Sequence, residues 1–386
     1  MEENTNLKEN FSILIPDGES KLILSVVHCL SVVPGLKINI LSKNRFSPIR
    51  FSRFINSYYY SKDNIDELKI SKIKSIALKT NSDIILPIDE EAIELLSQHK
   101  NNFTEEISLI PLPDLDAFKI CSNKWLLSKF LKDNKLPLPI TINCQNIDLK
   151  MDTLDLQFPV LVKPIKGLFG KGIKSFDNYI ELKSYLKNCK NLEKYILQSF
   201  INGFDIDCSV LCIEGEILQY TIQKEISTSN RRFGPPAAVE FLHDENVYKV
   251  VKELINKLNW SGVAHIDLRY DVFDNEIKII EVNPRFWGSL IGSLNAGINF
   301  PYLACLVGFG FEIPQIKSKF QKFSLVQDIL NLKYRRLTNG KAMPISFKDT
   351  NLKYILKDPI PEIIGFNSYI FMQLIEKVKN NKLFLK

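Results

Sequence analysis

Polar side chains alternate with apolar ones along two neighbouring segments, Gly262–Arg269 and Ile279–Gly288. Successive side chains of a strand point to opposite faces, so Glu281 and Asn283 share one face. If the two segments pair as strands, Asp267 joins them in a cluster of oxygen ligands. Such hard ligands suit Mg²⁺, and two carboxylates held together without a cation would be costly. The pattern therefore predicts a magnesium site on this strand pair.

Two cations stand beside prolines. Arg285 follows Pro284 and offers a guanidinium fork to an anionic group. Lys163 ends an apolar strand, and Pro164 after it forces an extended backbone at the lysine. Either Lys163 is solvated at a strand end, or it points at whatever the following loop covers.

The loop after this strand is rich in glycine and lysine, with Gly167, Gly170 and Gly172 beside Lys166 and Lys171. Positions without side chains let backbone N–H groups close on phosphate oxygens, and the lysines add positive charge. It is not a Walker A loop, because the Gly-Lys pair is followed by glycine and a strand-like segment. The loop predicts a phosphate-binding site, with an ordinary glycine-rich hairpin as the alternative.

The elements before these residues alternate between strand and helix. Residues 12–41 have the pattern of strand, helix and strand, and residues 83–99 continue it with a further strand and helix. This order predicts a parallel α/β sheet. The first strand is not followed by G-x-G-x-x-G, so the pattern gives little support for a dinucleotide site here.

The second half of the chain mixes strands with helices. A helix is predicted from Ser122 to Asn134, with Ser122 as its N-cap. Apolar alternation and turn signals predict the remaining elements, which are strands at 158–164, 195–200, 207–213, 262–270 and 276–282 and helices at 179–187 and 246–258.

Length and composition bound the class of protein. The chain has 386 residues, of which 45% are hydrophobic, enough for two or three packed lobes. Its net charge of +6 is interspersed and does not predict a nucleic-acid partner. No apolar run is long enough to cross a bilayer, the N-terminus is polar and acidic, and the seven cysteines are scattered. These features predict a cytoplasmic protein without a membrane partner.

Taken in order, the motifs resemble the ATP-grasp superfamily. The resemblance covers about residues 115–310 and is most similar to carboxylate-amine ligases related to the large-chain ATP-binding domains of carbamoyl-phosphate synthase. It rests on Val162-Lys163-Pro164, the loop 166–173, residues 197–203 and Glu281-x-Asn283-Pro284-Arg285.

The resemblance implies an α/β fold in which two α+β lobes grip ATP, preceded by a Rossmann-like parallel α/β domain. The expected boundaries are 1–115 for the preceding domain, 116–310 for the ATP-grasp domain with its small lobe at about 140–200, and 311–386 for a C-terminal helical or extended segment.

The resemblance also assigns contacts to ATP. Lys124 and Lys163 are expected at the phosphates, and the loop with Lys166, Gly167, Gly170, Lys171 and Gly172 is expected to close over the triphosphate. Asp205 is expected at the ribose. A hinge that offers backbone groups to adenine is expected at Gln198, Ser199, Phe200 and Ile201.

On the metal and substrate side, the resemblance implies one or two Mg²⁺ or Mn²⁺ ions held by Asp267, Glu281 and Asn283. Arg285 is expected to stabilise the transferring phosphoryl group. Arg231 and Arg232 are expected to face the substrate, and their alternative is ordinary surface charge.

The activity implied is phosphorylation of a carboxylate to an acyl phosphate, followed by attack of an amine with release of ADP and phosphate. The partners would be small-molecule acid and amine substrates, and relatives suggest a homodimer. Two alternatives remain open, a bicarbonate-activating carboxylase or carbamoyl-phosphate-type enzyme and an ATP-binding regulatory protein without catalysis.

Overall fold

The structure is a computed structural model that describes most of the chain, in residues 10–103, 107–147, 157–167, 170–227, 233–329 and 345–365. The strands of these residues form sheets of five, four and six strands. No helix in the same residues is both long and apolar enough to cross a membrane.

The five-stranded sheet is parallel, with the order β3-β2-β1-β4-β5. Its strands are β1 (Ser12–Ile15), β2 (Lys37–Ser42), β3 (Ser57–Tyr60), β4 (Ile84–Ile85) and β5 (Ser108–Leu109). Its helices are α1 (Ile23–Leu30), α2 (Asp66–Lys79) and α3 (Glu90–Gln98). In β1, Ile13 packs into a core with α1 and Leu14 into a core with α2 and α3, so both faces are covered. The predicted parallel α/β sheet is confirmed.

The four-stranded sheet is antiparallel, with the order β6-β9-β7-β8. Its strands are β6 (Thr141–Asn143), β7 (Val160–Pro164), β8 (Lys174–Phe176) and β9 (Tyr195–Ser199). The helices before it and on it are α4 (Leu115–Cys121), α5 (Lys124–Asp133) and α6 (Tyr179–Asn188). The glycine-rich loop joins β7 to β8, as the sequence predicted.

The N-cap of α5 is Asn123, so the prediction of Ser122 was wrong. Ser122 instead ends α4 as its C-cap. The Asn123 side chain accepts hydrogen bonds from the N–H groups of Trp125, at 3.0 Å, and Leu126, at 3.1 Å. This cap places Lys124 at the first position of α5, facing the site described below.

The six-stranded sheet is antiparallel, with the order β14-β13-β10-β11-β12-β15. Its strands are β10 (Gly203–Ile213), β11 (Glu216–Ser227), β12 (Ala238–Leu242), β13 (Gly262–Asp271), β14 (Ile277–Asn283) and β15 (Gln321–Phe323). The accompanying helices are α7 (Glu245–Leu258), α8 (Leu290–Asn295), α9 (Phe300–Gly308) and α10 (Leu352–Lys357), with further helical residues at 326–329 and 359–365.

Helix α7 covers one face of this sheet, and the opposite face carries polar groups beside further core residues such as Leu211 and Val263. Its apolar side chains, among them Val251 and Leu254, share a core with Cys208 and Ile266. Because side chains alternate along a strand, the residues between these point to the opposite face. That face carries the predicted site residues of β13.

The five-stranded sheet with helices α1 to α3, called the first lobe below, shares one hydrophobic core with the six-stranded sheet. Ile13 of β1 and Phe286 and Trp287, just after β14, belong to the same buried cluster. The Phe286 N–H also donates to the Ile88 carbonyl, at 3.4 Å. The start of α3 therefore lies against the end of β14.

Candidate active site

The predicted oxygen cluster forms where β13 pairs with β14. The register places Asp267 opposite Glu281 and His265 opposite Asn283. The Asn283 Nδ2 donates to Asp267 Oδ1 at 3.2 Å. Desolvation and repulsion from Glu281 raise the pKa of Asp267 above its ordinary value. The three side chains meet as predicted, in an arrangement that favours a bound cation.

Within the described residues, no group of three or more His, Cys, Asp or Glu side chains is arranged as a metal site. The predicted trio contains two carboxylates and one amide, so it is a sparse donor set. Mg²⁺ often takes one or two carboxylates and completes its shell with water and substrate phosphates. A sparse set of this kind fits a metal that arrives with a nucleotide.

Lys124 supplies a cation to this cluster. Its Nζ lies 2.7 Å from Glu281 Oε1 and 3.2 Å from the carbonyl oxygen of Gly167. The lysine side chain is 11% exposed and that of Glu281 22%, so the pair sits in a partly closed cleft. The ion pair thus joins the start of α5, the glycine-rich loop and β14.

Lys163 is buried, with 7% of its surface exposed. Its Nζ donates to Gln198 Oε1 at 2.6 Å, and Gln198 Nε2 donates to Thr141 Oγ1 at 3.0 Å. Burial lowers the pKa of Lys163 to about 8, and Glu281 acts in the opposite direction. The solvated strand end that was the alternative for Lys163 is therefore wrong.

The predicted hinge spans the last two residues of β9, Gln198 and Ser199, and the two residues after it. The Ser199 N–H donates to the Ile140 carbonyl at 2.9 Å, and the Phe200 N–H donates to the Pro159 carbonyl at 3.1 Å. The Ile201 carbonyl accepts from Arg269 Nε at 2.8 Å. These three backbone groups already form hydrogen bonds within the protein. Contacts of the hinge with adenine remain a prediction.

Asp205, predicted at the ribose, forms an ion pair with Arg269. Its carboxylate is 39% exposed. Arg269 also donates to the Gly203 carbonyl at 2.8 Å. Asp205 is thus both fixed by a cation and open to solvent, and the ribose contact stays a prediction.

The glycine-rich loop has a backbone that favours glycine at two positions. Gly170 has φ +67° and Gly172 has φ +80°. A Cβ atom on Gly170 would stand 1.7 Å from the Phe233 carbonyl oxygen, which no side chain tolerates. Lys166 and Lys171 are exposed. The described part of the loop therefore touches the segment that begins at residue 233.

Arg231 and Arg232 lie outside the described residues, as do residues 168 and 169 of the loop. The expectation that either arginine faces a substrate therefore remains a prediction.

Arg285 is 8% exposed at the end of β14. Its Nη1 donates to the Phe286 carbonyl at 2.8 Å and its Nη2 to Asn283 Oδ1 at 3.2 Å. The third contact is an ion pair from Nε to Glu90 Oε1, at 3.4 Å. Arg285 therefore borders the oxygen cluster and is held by the first lobe.

A cavity of about 90 Å³ opens between these elements. Lys124, Lys166, Gly167, Glu281 and Glu90 are among its lining residues. Glu281 of the oxygen cluster and Lys166 and Gly167 of the glycine-rich loop therefore face the same cavity.

Sequence reasoning missed a polar network beneath the cluster. His265 Nε2 lies 3.4 Å from Asp267 Oδ1, and its Nδ1 lies 2.8 Å from Ser209 Oγ. Asp207 accepts from Gln223 Nε2 at 3.3 Å. Burial lowers the pKa of His265 to about 3, so it is neutral. The alternation of Asp205, Asp207 and Ser209 along β10 was the available signal.

Sequence reasoning also missed Glu90. An acidic residue in the first turn of a helix is ordinary, and no local pattern indicates that α3 meets β14.

Comparison with known proteins identifies the fold. Residues 121–289 match the family model of the ATP-grasp domain. A solved structure of the biotin carboxylase domain of 2-oxoglutarate carboxylase from Hydrogenobacter thermophilus, in complex with MgADP, ADP and bicarbonate, has a TM-score of 0.63 at 15% identity, covering 81% of this chain and 73% of that one. The chain therefore has the ATP-grasp fold, as predicted.

Two curated relatives match more than half of the chain. Carbamoyl-phosphate synthase of Methanobrevibacter smithii is 24% identical over 262 residues, which are 65% of this chain and 70% of that protein. D-aspartate ligase of Enterococcus faecium is 23% identical over 278 residues, or 63% of this chain and 64% of that protein. The chain thus spans about two thirds of the length of these relatives.

Proposed function

We propose that this chain, which contains an ATP-grasp domain, is an ATP-dependent ligase that forms a C–N bond between a carboxylate and an amine. The observation that carries the proposal is the convergence of Lys124, Glu281, Asp267 and Arg285 beside the glycine-rich loop. The names of the two relatives support this class of reaction. D-aspartate ligase is named as a ligase of an amino acid, and the product named in carbamoyl-phosphate synthase is an acyl phosphate.

The donor atoms on β13 and β14 fit magnesium. Asp267 and Glu281 are neighbours across the strand pair, and repulsion between them is relieved by a cation. We assign the metal to Asp267, Glu281 and Asn283, as one or two Mg²⁺ or Mn²⁺ ions. When bound, the metal neutralises charge on the phosphates of ATP. The MgADP in the solved structure of a similar fold supports this assignment.

The phosphates of ATP are assigned to Lys124, Lys163 and the loop residues Lys166, Gly167, Gly170, Lys171 and Gly172. Lys163 is buried beside Gln198, so its charge is fixed in place before the nucleotide arrives. The assigned adenine contacts lie along Gln198, Ser199, Phe200 and Ile201, and Asp205 is assigned to the ribose.

The reaction follows from the need to activate a carboxylate. A carboxylate oxygen attacks the terminal phosphorus of ATP, the bond to the bridging oxygen breaks, and ADP leaves with that electron pair. Lys163 and Arg285 stabilise the charge on the transferring group, mainly by position and electrostatics. The resulting acyl phosphate has a good leaving group.

The second step forms the amide. The amine nitrogen attacks the acyl carbon, the bond from carbon to the phosphate oxygen breaks, and phosphate leaves. The nitrogen then releases a proton to solvent or to phosphate. We propose that Arg231 or Arg232 holds the anionic group of a substrate.

The similarity to carbamoyl-phosphate synthase favours one second candidate, in which bicarbonate is the carboxylate that is activated. Both candidates use the same phosphoryl transfer, and the acid that supports ADP release separates them. A regulatory protein would bind ATP without this release.

The organisation of the chain is also a proposal. The domains are assigned to 1–115, 116–310 and 311–386, and the protein is proposed to be a cytoplasmic enzyme that forms a homodimer. Size-exclusion chromatography with light scattering tests the dimer directly.

The proposal is tested by ADP release from Mg-ATP with pooled carboxylic acids, amino acids and bicarbonate. Glu281→Ala removes an assigned metal ligand, and Glu276→Ala is the matched control because Glu276 is exposed and pairs with Lys278. The proposal expects release that needs one acid and one amine, is retained in Glu276→Ala and is lost in Glu281→Ala. Nucleotide binding without release in any mixture would contradict it.

A further inference from the structure

Arg285 forms an ion pair with a residue of the first lobe. Glu90, in the first turn of α3, places Oε1 3.4 Å from Arg285 Nε. Helix α3 packs on the parallel sheet, whereas Arg285 follows β14, the strand that carries Glu281 and Asn283. An ion pair thus joins a side chain of the first lobe to a residue assigned to phosphoryl transfer.

The partners of Arg285 determine which of its N–H groups are free. A guanidinium carries five N–H donors in a rigid plane. Nε faces Glu90, one Nη1 donor goes to the Phe286 carbonyl, and one Nη2 donor goes to Asn283. Each terminal nitrogen keeps one further N–H, with no partner among the described residues. These two remaining N–H groups are available to donate to oxygens of a phosphoryl group.

The turn that carries Glu90 is held in place by Asp17. Asp17, only 6% exposed, lies in the loop after β1. Its carboxylate accepts from the Ile88 N–H at 3.0 Å and from the Asp89 N–H at 2.7 Å. These bonds hold the turn that begins α3. The carbonyl of Ile88 also accepts from the Phe286 N–H, so the turn and the arginine segment are tied by backbone as well.

We propose that Glu90 is a positioning residue that orients the guanidinium of Arg285 so that its two remaining donors face the transferring phosphoryl group. The inference rests on the proposed function and adds a role for the first lobe. It also explains why this lobe, whose strand ends lack a dinucleotide motif, packs its α3 turn against the site.

If Glu90 orients Arg285, its removal is expected to lower kcat and to leave the KM for ATP nearly unchanged. Glu90 lines the same cavity as Lys124 and Lys166, but the hydrogen bonds and ion pairs given for Lys124 and Lys163 do not include it, so the KM for ATP is expected to change little without it. Misplacing the guanidinium affects the transferring group, so kcat falls. A residue that merely docked the two lobes would not separate the parameters in this way.

The test compares Glu90→Ala with Glu90→Gln, which lacks the charge but keeps an oxygen that accepts from Nε–H. Glu91→Ala is the matched control, because Glu91 is the next residue of the same helix and, within the part of the chain that the structure describes, forms its ion pairs with Lys43 and Lys69. Nitrogen–proton NMR follows the Arg285 Nε–H, whose resonance is assigned by its loss in Arg285→Lys.

In Glu90→Ala, the exchange-protected Nε–H resonance is expected to disappear and kcat to fall at least about ten-fold, with the KM for ATP within about two-fold. Glu90→Gln is expected to recover most of kcat. A resonance that persists in Glu90→Ala overturns the proposal, and so does a kcat equal to that of Glu91→Ala. Wild-type protein without turnover contradicts the proposed function instead, and the resonance then still decides whether Glu90 holds the guanidinium.

Discussion

The ammonium of Lys124 lies 2.7 Å from the carboxylate of Glu281, although the two residues are 157 positions apart. The pair places a cation of the protein on an assigned metal ligand. A metal that binds Oε1 of Glu281 displaces Lys124 from that oxygen, and the ammonium is then available to a phosphate. We therefore expect nucleotide and metal binding to be coupled through this one side chain.

Replacing Lys124 by alanine is expected to have opposite effects on metal and nucleotide. Without the competing ammonium, Mn²⁺ binds the nucleotide-free protein about five-fold more tightly, the equivalent of ~1 kcal/mol for a partly exposed ion pair. The KM for ATP rises, because a phosphate contact is lost. Titration of free Mn²⁺ by electron paramagnetic resonance checks the first effect, with Lys129→Ala on the exposed face of the same helix as control. Weaker Mn²⁺ binding by Lys124→Ala would refute the coupling.

Lys163 predicts a pH dependence of nucleotide binding. Burial lowers its pKa to about 8, so the side chain is charged below that pH and neutral above it. The affinity for Mg-ADP is therefore expected to fall as the pH rises through about 8. Calorimetric titration of wild type and Lys163→Arg checks this, since arginine stays charged throughout. An inflection of equal size in both proteins would show that another group titrates.

Two glycines of the same loop are expected to differ. Alanine at Gly170 would bring Cβ to 1.7 Å from the Phe233 carbonyl oxygen at a positive φ, whereas alanine at Gly167 meets its nearest atom at 3.8 Å. Gly170→Ala is expected to reduce kcat/KM for ATP at least about ten-fold more than Gly167→Ala, because it forces the loop away from its position. Steady-state kinetics of the two variants decide, and equal losses would argue against a fixed loop.

His28, remote from the site, predicts a loss of stability in acid. Burial lowers its pKa to about 4 from an ordinary 6.5. Folding favours the neutral form of His28. Its contribution to the free energy of unfolding is therefore complete above pH 6.5 and is lost as the pH falls toward 4, in total about 3 kcal/mol. His28→Phe keeps the stacking on Tyr354 and does not titrate.

Urea unfolding of wild type and His28→Phe between these pH values measures the difference. His265 titrates alike in both proteins, so the comparison isolates His28. The variant is expected to lose less free energy of unfolding on acidification. Parallel curves for the two proteins would show that His28 does not carry the effect.

The sequence predicted those parts of the site that depend on local geometry. The period of two along a strand brings Glu281 and Asn283 to one face, and the hairpin turn between β13 and β14 brings Asp267 opposite them. The glycine-rich loop was recognisable because its residue types are needed for its backbone, as the positive φ of Gly170 shows.

Contacts between distant elements were not predictable in this way. Glu90 reaches Arg285 only because the first lobe and the six-stranded sheet share a hydrophobic core, which no local pattern encodes. The error at Ser122 is local instead, since two residues that can both cap a helix are adjacent: Ser122 ends α4 and Asn123 caps α5. The roles of the site residues and the domain boundaries remain predictions.

In the proposed reaction, ATP phosphorylates the carboxylate of a substrate. The most direct measurement uses an acid whose carboxylate carries the heavy oxygen isotope and analyses the released phosphate by mass spectrometry, with Glu281→Ala as control. Attack by the carboxylate on ATP transfers one labelled oxygen to each phosphate, so we expect singly labelled phosphate from wild type and none from the variant. Phosphate released without label in an amide-forming reaction would contradict it.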